Sequence, residues 1–142
     1  MTFTLDPKIE ADSYFVIDLD LSHVRLNKNA AFPWLILIPK RDAVSEIIDL
    51  DEADRTALLN DIVISSQIVK NLFQPKKLNV ANLGNKTPQL HVHVIARYED
   101  DKAWPGPVWD SGVSATYDDK KLQEVLAMLQ GAFNDVLTGA SS

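Results

Sequence analysis

The segment Pro33-Trp-Leu-Ile-Leu-Ile-Pro39 is apolar throughout and carries a proline at each end. An extended stretch without a polar side chain on either face reads as a strand covered on both faces, and the prolines close it where a ladder hydrogen bond is no longer needed. The rest of the chain must therefore supply a layer on each side. With 142 residues, 46% of them hydrophobic, the chain is long enough to do so in one domain (1–142, core about 14–137). A domain of that size removes roughly 70% of its unfolded surface from water and needs no covalent staple. None is on offer, because the sequence has no cysteine. Disulfides, cysteine-held zinc, iron–sulfur clusters and thiol nucleophiles are excluded together.

Periodicity places the covering elements. Residues 14–20 and Ser22-His-Val-Arg-Leu-Asn27 read as two short strands with a turn near Leu21. From Asp51 to about Phe73, Leu58, Ile62, Ile68 or Val69, and Leu72 or Phe73 recur at helical spacing; Asp49 or Asp51 can cap the start and Gln74-Pro75 ends it. Lys77–Leu83 and Gln89–Arg97 read as the strands of a hairpin whose loop holds Gly84-Asn-Lys-Thr-Pro88. Residues 99–115 show no period and read as an ordered loop. Leu122 through Leu137 define a second amphipathic helix starting near Asp118, and the tail 138–142 reads as frayed. The expected class is α+β: an antiparallel sheet of about five strands with two main helices.

The chemistry concentrates in Gln89-Leu-His-Val-His-Val-Ile95. Side chains alternate across a strand, so Gln89, His91 and His93 are expected on one face, successive members about 6.7 Å apart. An imidazole can attack phosphorus near neutral pH without prior activation, and a second can donate a proton or hydrogen bonds to the charge that develops.

The same segment resembles the signature of the histidine triad superfamily of nucleotide hydrolases and transferases, in which three histidines alternate with apolar residues on one strand. Asn82-Leu-Gly84 resembles the Asn-x-Gly that precedes the triad, Leu35-Ile-Leu-Ile-Pro-Lys40 its Ile-Pro-Lys strand, and Trp104-Pro-Gly-Pro its tryptophan and proline tail. The resemblance runs in order over roughly residues 14 to 109. It implies that His91 is the nucleophile toward the α-phosphorus of a purine nucleotide conjugate or dinucleoside polyphosphate, through a nucleotidyl-histidine intermediate. His93 takes the last triad position, and Gln89 stands where the first histidine belongs. Asn82 and Gly84 would help hold phosphate, Asn27 would be a candidate ribose contact, and two copies would pair as a homodimer. Neither a cofactor nor a metal is implied. Backbone N–H groups near Gly84 and a protonated His93 could stabilise phosphate oxygens without a cation.

Two alternatives stay open. Gln89, together with Trp34 and Asp42 at positions where the superfamily often carries further histidines, fits a nucleotide-binding module that has lost turnover. Gly84, His91-x-His93, Glu99 and Gly106 also look like an approximate cupin pattern, offering two imidazoles and a carboxylate to one metal ion. Glu99-Asp-Asp101 reads as a solvated loop, His23 as exposed and Trp34 as core. Trp104 and Trp109 suit either a purine cover or the packing of a loop lid. A net charge of −6 disfavours a nucleic acid polymer as partner. The residues from Met1 onward lack the basic start and apolar core of a secretory signal and no run approaches a membrane span, so the cytoplasm is expected.

Overall fold

The computed structural model describes residues 3–139. Its elements are α1 (Pro7–Ala11), β1 (Ser13–Asp18), β2 (Ser22–Asn27), β3 (Trp34–Pro39), α2 (Glu52–Phe73), β4 (Lys77–Ala81), β5 (Val92–Arg97) and α3 (Asp119–Thr138). The five strands form one antiparallel sheet in the order β1-β2-β3-β5-β4. The proline-bracketed strand β3 lies at its centre, and all six of its residues are buried.

Both faces of β3 are covered, by different means. Leu35 and Leu37 join Val24, Leu26, Val92, Val94 and Ala96 in a core closed by Leu58 and Val69 of α2 and by Leu129 and Phe133 of α3. Trp34, Ile36 and Ile38 meet Ile95, Phe32, Ile9 of α1 and Val108 of the following loop on the other face. The helices thus take one side, and a short N-terminal helix with an irregular loop takes the other.

Local chemistry fixes the helix ends. The Asp51 carboxylate accepts from the Asp54 N–H (2.8 Å) and that of Asp118 from Lys121 (2.8 Å), satisfying amides that a first turn leaves unpaired. At the other ends Gln74 (φ 50°) and Gly139 (φ 72°) adopt the left-handed conformation that stops a helix. Thr138 is the last helical residue; the rest of the expected frayed tail, residues 140–142, lies outside the described residues.

The hairpin expectation holds for the pairing and needs correction for its length. Strand β4 stops at Ala81 and β5 begins at Val92, so the connection spans residues 82–91. Its backbone groups bond elsewhere: Leu90 N–H donates to the Val44 carbonyl (2.9 Å) and Thr87 N–H to that of Gly84 (3.2 Å). The loop after β5 is ordered, as expected, by a buried ion pair. Arg97 donates to Asp101 (2.9 and 3.1 Å), Asn79 (2.8 Å) and the Gly106 carbonyl (2.8 Å). Asp101 is therefore not part of a solvated acidic run; the guanidinium holds its carboxyl down at about 2.

Candidate active site

Alternation along β5 sends Val92, Val94 and Ala96 toward the helices and leaves His91, His93, Ile95 and Arg97 for the opposite face. His93 lies opposite Ile36 in the β3 register, one step from Trp34. The two imidazoles meet edge to face, ring centres 4.9 Å apart, and Trp109 closes on His93 at the same separation.

Each ring is oriented by its hydrogen bonds. The Nδ1–H of His91 donates to the Gln89 main-chain carbonyl (2.7 Å), because a carbonyl can only accept. A neutral His91 ring then carries its lone pair on Nε2, which has no hydrogen-bond partner among the described residues. His93 is engaged at both nitrogens. Its Nδ1 accepts from the Trp34 indole N–H (2.9 Å), and its Nε2–H donates to the Leu83 carbonyl (2.9 Å). That pair of partners suits one neutral tautomer, and burial pushes the His93 pKa down to about 4. The expectation of a protonated His93 is corrected accordingly: a second proton would have to displace the indole N–H in a buried site.

Gly84 lies against the His91 ring. A Cβ there would come within 2.7 Å of His91 Cε1 and 2.8 Å of the Thr87 carbonyl oxygen, so the loop can pass this close to the imidazole only without a side chain.

His91 and Gly84 border two concavities. The main cleft, about 400 Å³, is also lined by His93, Trp34, Trp109 and Asn27, with Lys8 and Asp12 of the N-terminal segment on one side and Lys86 and Asp110 on loops. The adjoining recess, about 440 Å³, is bordered by Asn82, Gln89, Ser45 and Glu46. Of the six residues singled out from sequence, Asn27, Gly84, His91 and His93 thus line the main cleft, while Asn82 and Gln89 line its neighbour.

Gln89 departs furthest from expectation. It sits in a bend before β5, not on the strand, and its side chain turns to the N-terminal segment: Nε2–H donates to the Thr4 carbonyl (2.9 Å), and Oε1 accepts from the Asp6 N–H (2.8 Å). Trp34, read as core, is buried but also holds His93. His23 is largely enclosed rather than exposed, bonded to Asp18 (2.8 Å) and Arg25 (3.2 Å) beside Phe15. Trp104 packs near Arg97, away from the cleft residues. The cupin pattern is overturned by the open sheet and by a His93 whose nitrogens are both occupied; no group of three potential metal ligands occurs among the described residues. Sequence reasoning missed Lys8 and the whole of α1, although Asp6-Pro7 is a cap followed by a first-turn proline.

Fold and site together define an α+β protein that presents a pair of imidazoles, from β5 and the residue before it, to a cleft. The HIT domain model matches residues 8–100. A histidine triad protein of Bradyrhizobium japonicum is similar over 93% of this chain and 98% of its own, with 39% identity and a TM-score of 0.90. One from Marinobacter aquaeolei covers 95% and 98%, with 36% identity and a TM-score of 0.91. A diadenosine triphosphate hydrolase of Plasmodium falciparum shares the fold at a TM-score of 0.59, with 18% identity over 92% of this chain and 80% of its own. No curated protein matches the sequence. The chain belongs to the histidine triad (HIT) family, which includes nucleotide-binding hydrolases and transferases. No helix among the described residues is long and apolar enough to cross a membrane.

Proposed function

We propose that the protein hydrolyses or transfers at the α-phosphate of a purine nucleotide conjugate or dinucleoside polyphosphate, with His91 as nucleophile. The observation that carries this reading is the His91 hydrogen bond: with Nδ1–H held by the Gln89 carbonyl, Nε2 is the ring atom left for a substrate. In the first step the Nε2 lone pair forms a P–N bond and the bond from phosphorus to the leaving group breaks, that group departing with the bonding pair. In the second, water forms the P–O bond and gives up a proton to solvent, the P–N bond breaks with its pair returning to Nε2, and the nucleoside monophosphate is released.

The remaining roles follow from position. The nucleoside takes the main cleft, where Trp109 and Ile36 offer apolar surface and Asn27 a carboxamide for the ribose. Gly84 and the turn after it admit the phosphate beside His91, with Lys86 nearby; Asn82 faces the leaving-group side. His93 serves by fixing the wall on which His91 leans.

The test is nucleoside monophosphate release across phosphoramidates, dinucleoside polyphosphates and nucleotide sugars, with trapping of the covalent intermediate. A phosphoramidate adduct is expected to be acid-labile and alkali-stable. His91→Ala should abolish the adduct and lower turnover at least about a thousandfold with little change in nucleotide affinity. A second reading, a binding module without turnover, is favoured by Gln89 in the first triad position. It prevails if wild type and His91→Ala bind nucleotide equally and release product at the same rate.

A further inference from the structure

The Gln89 side chain has a task that its place before the histidines does not suggest. The residue faces two ways. Its carbonyl orients the His91 ring, while its carboxamide makes a donor and acceptor pair with the backbone of Thr4 and Asp6, more than eighty positions earlier in sequence. Asp6 is the N-cap of α1, its carboxylate accepting from the Lys8 N–H (2.8 Å). The other end of α1 is tied separately, by Arg25 donating to the carbonyls of Ser13 (2.9 Å) and Glu10 (3.4 Å). Between these two attachments, α1 and the residue after it bring Lys8, Ile9 and Asp12 to the main cleft.

We infer that Gln89 is a positioning residue: its side chain clamps the N-terminal segment so that α1 forms a fixed wall of the nucleotide cleft. A carboxamide matches the two backbone groups because it donates at one atom and accepts at the other without carrying charge. An imidazole reaching the same place would have to satisfy both backbone groups from the opposite edges of a rigid ring. The exchange of a titratable side chain for an amide thus trades proton chemistry at position 89 for construction of the binding site. The inference rests on the reading of the main cleft as the nucleotide site, and it concerns affinity rather than the chemical step.

Two variants of Gln89 test it, with AMP as the probe. Gln89→Leu removes both hydrogen bonds and should weaken AMP binding about tenfold, the equivalent of one to two ordinary hydrogen bonds. It should also lower hydrogen-exchange protection over residues 6–12. Gln89→Glu gives the readout that a general packing role would not move. A neutral carboxylic acid can reproduce the donor and acceptor pair, whereas a carboxylate faces the Thr4 oxygen with no proton. Its AMP affinity relative to wild type should approach one only near pH 4, below the ordinary glutamate value of about 4.3, and fall as pH rises toward 8, with Asp6 and Glu46 nearby reinforcing the loss and Arg41 opposing it. Gln89→Leu should keep a flat ratio. Unchanged AMP affinity and exchange protection in Gln89→Leu, or a flat ratio for Gln89→Glu, would overturn the clamp. So would loss of kcat at unchanged affinity. Activity is not needed for the binding readouts: if His91→Ala turned over like wild type, the enzymatic reading would fail while the clamp could still hold.

Discussion

His93 illustrates how far a side chain's partners decide its role. On the sequence it is one of two similar imidazoles; in the fold it is 5% exposed, wedged between Trp34, Trp109 and His91, with an indole donor on one nitrogen and a carbonyl acceptor on the other. Burial lowers its pKa from 6.5 to about 4. The sign of the consequence follows directly. As pH falls through 6.5 the unfolded chain takes up a proton that the folded chain refuses, so stability is lost between pH 6.5 and 4, by about 3 kcal/mol if this group acts alone. Urea unfolding at pH 7.5 and 4.5 should show that loss, and in His93→Gln the difference between the two pH values should shrink. An unchanged difference would mean that His93 titrates normally. His91 and His93 were legible as a pair from period-two alternation. Their division of labour was not, because it depends on Trp34 and Leu83, which are distant in sequence and themselves look like core residues.

The loop after β5 shows the same limit at the level of an element. Residues 99–115 have no period because what orders them is not a repeating face but separate attachments, chiefly one buried guanidinium and, further on, the Asn29 carboxamide bonded to Val113 and Ala115. Arg97 is 1% exposed and binds Asp101, Asn79 and the Gly106 carbonyl at once, so the loop is pinned to the end of β5 and to the neighbouring β4. The strands and long helices, in contrast, were readable to within a few residues, since each carries its signal in its own spacing and capping residues. The short α1 carries too little periodicity to be seen. Arg97→Ala would strand the Asp101 carboxylate beneath the loop, a change that typically costs about 3–5 kcal/mol. Thermal unfolding should reveal it, together with exposure of the Trp104 and Trp109 indoles to a fluorescence quencher. The Asp101 carboxyl, held at about 2, adds a second and separate acid transition. Its contribution is present above the unfolded value near 3.8 and disappears as pH falls through 2, just below the window in which His93 acts.

Across the whole molecule, the two-sided covering of β3 explains why one reactive atom stands alone at the cleft. The helix pair closes one face of the sheet; α1 and the loop to Val113 close much of the other, and β5 brings His91 to the opening that remains. Neither His93 nor Gln89, the two residues that flank His91 at alternate positions, has a proton to give. His93 is neutral with both nitrogens bonded, and the Gln89 carboxamide is turned to Thr4 and Asp6 and cannot exchange a proton near neutral pH. On the proposed mechanism, a leaving group displaced by His91 departs largely as its anion and collects a proton from solvent. Turnover should therefore depend steeply on leaving-group acidity. In a series of aryl esters of AMP, each tenfold rise in the acidity of the phenol should raise the rate of adduct formation several-fold, and an unprotonated amine should leave far more slowly than an acidic phenol. Single-turnover rates of phenol release at pH 7.5 would measure the slope. A flat dependence, at enzyme concentrations where the single-turnover rate no longer rises with concentration, would mean that a proton is delivered as the bond breaks, and Glu46 at the edge of the adjoining recess would be the group to substitute first.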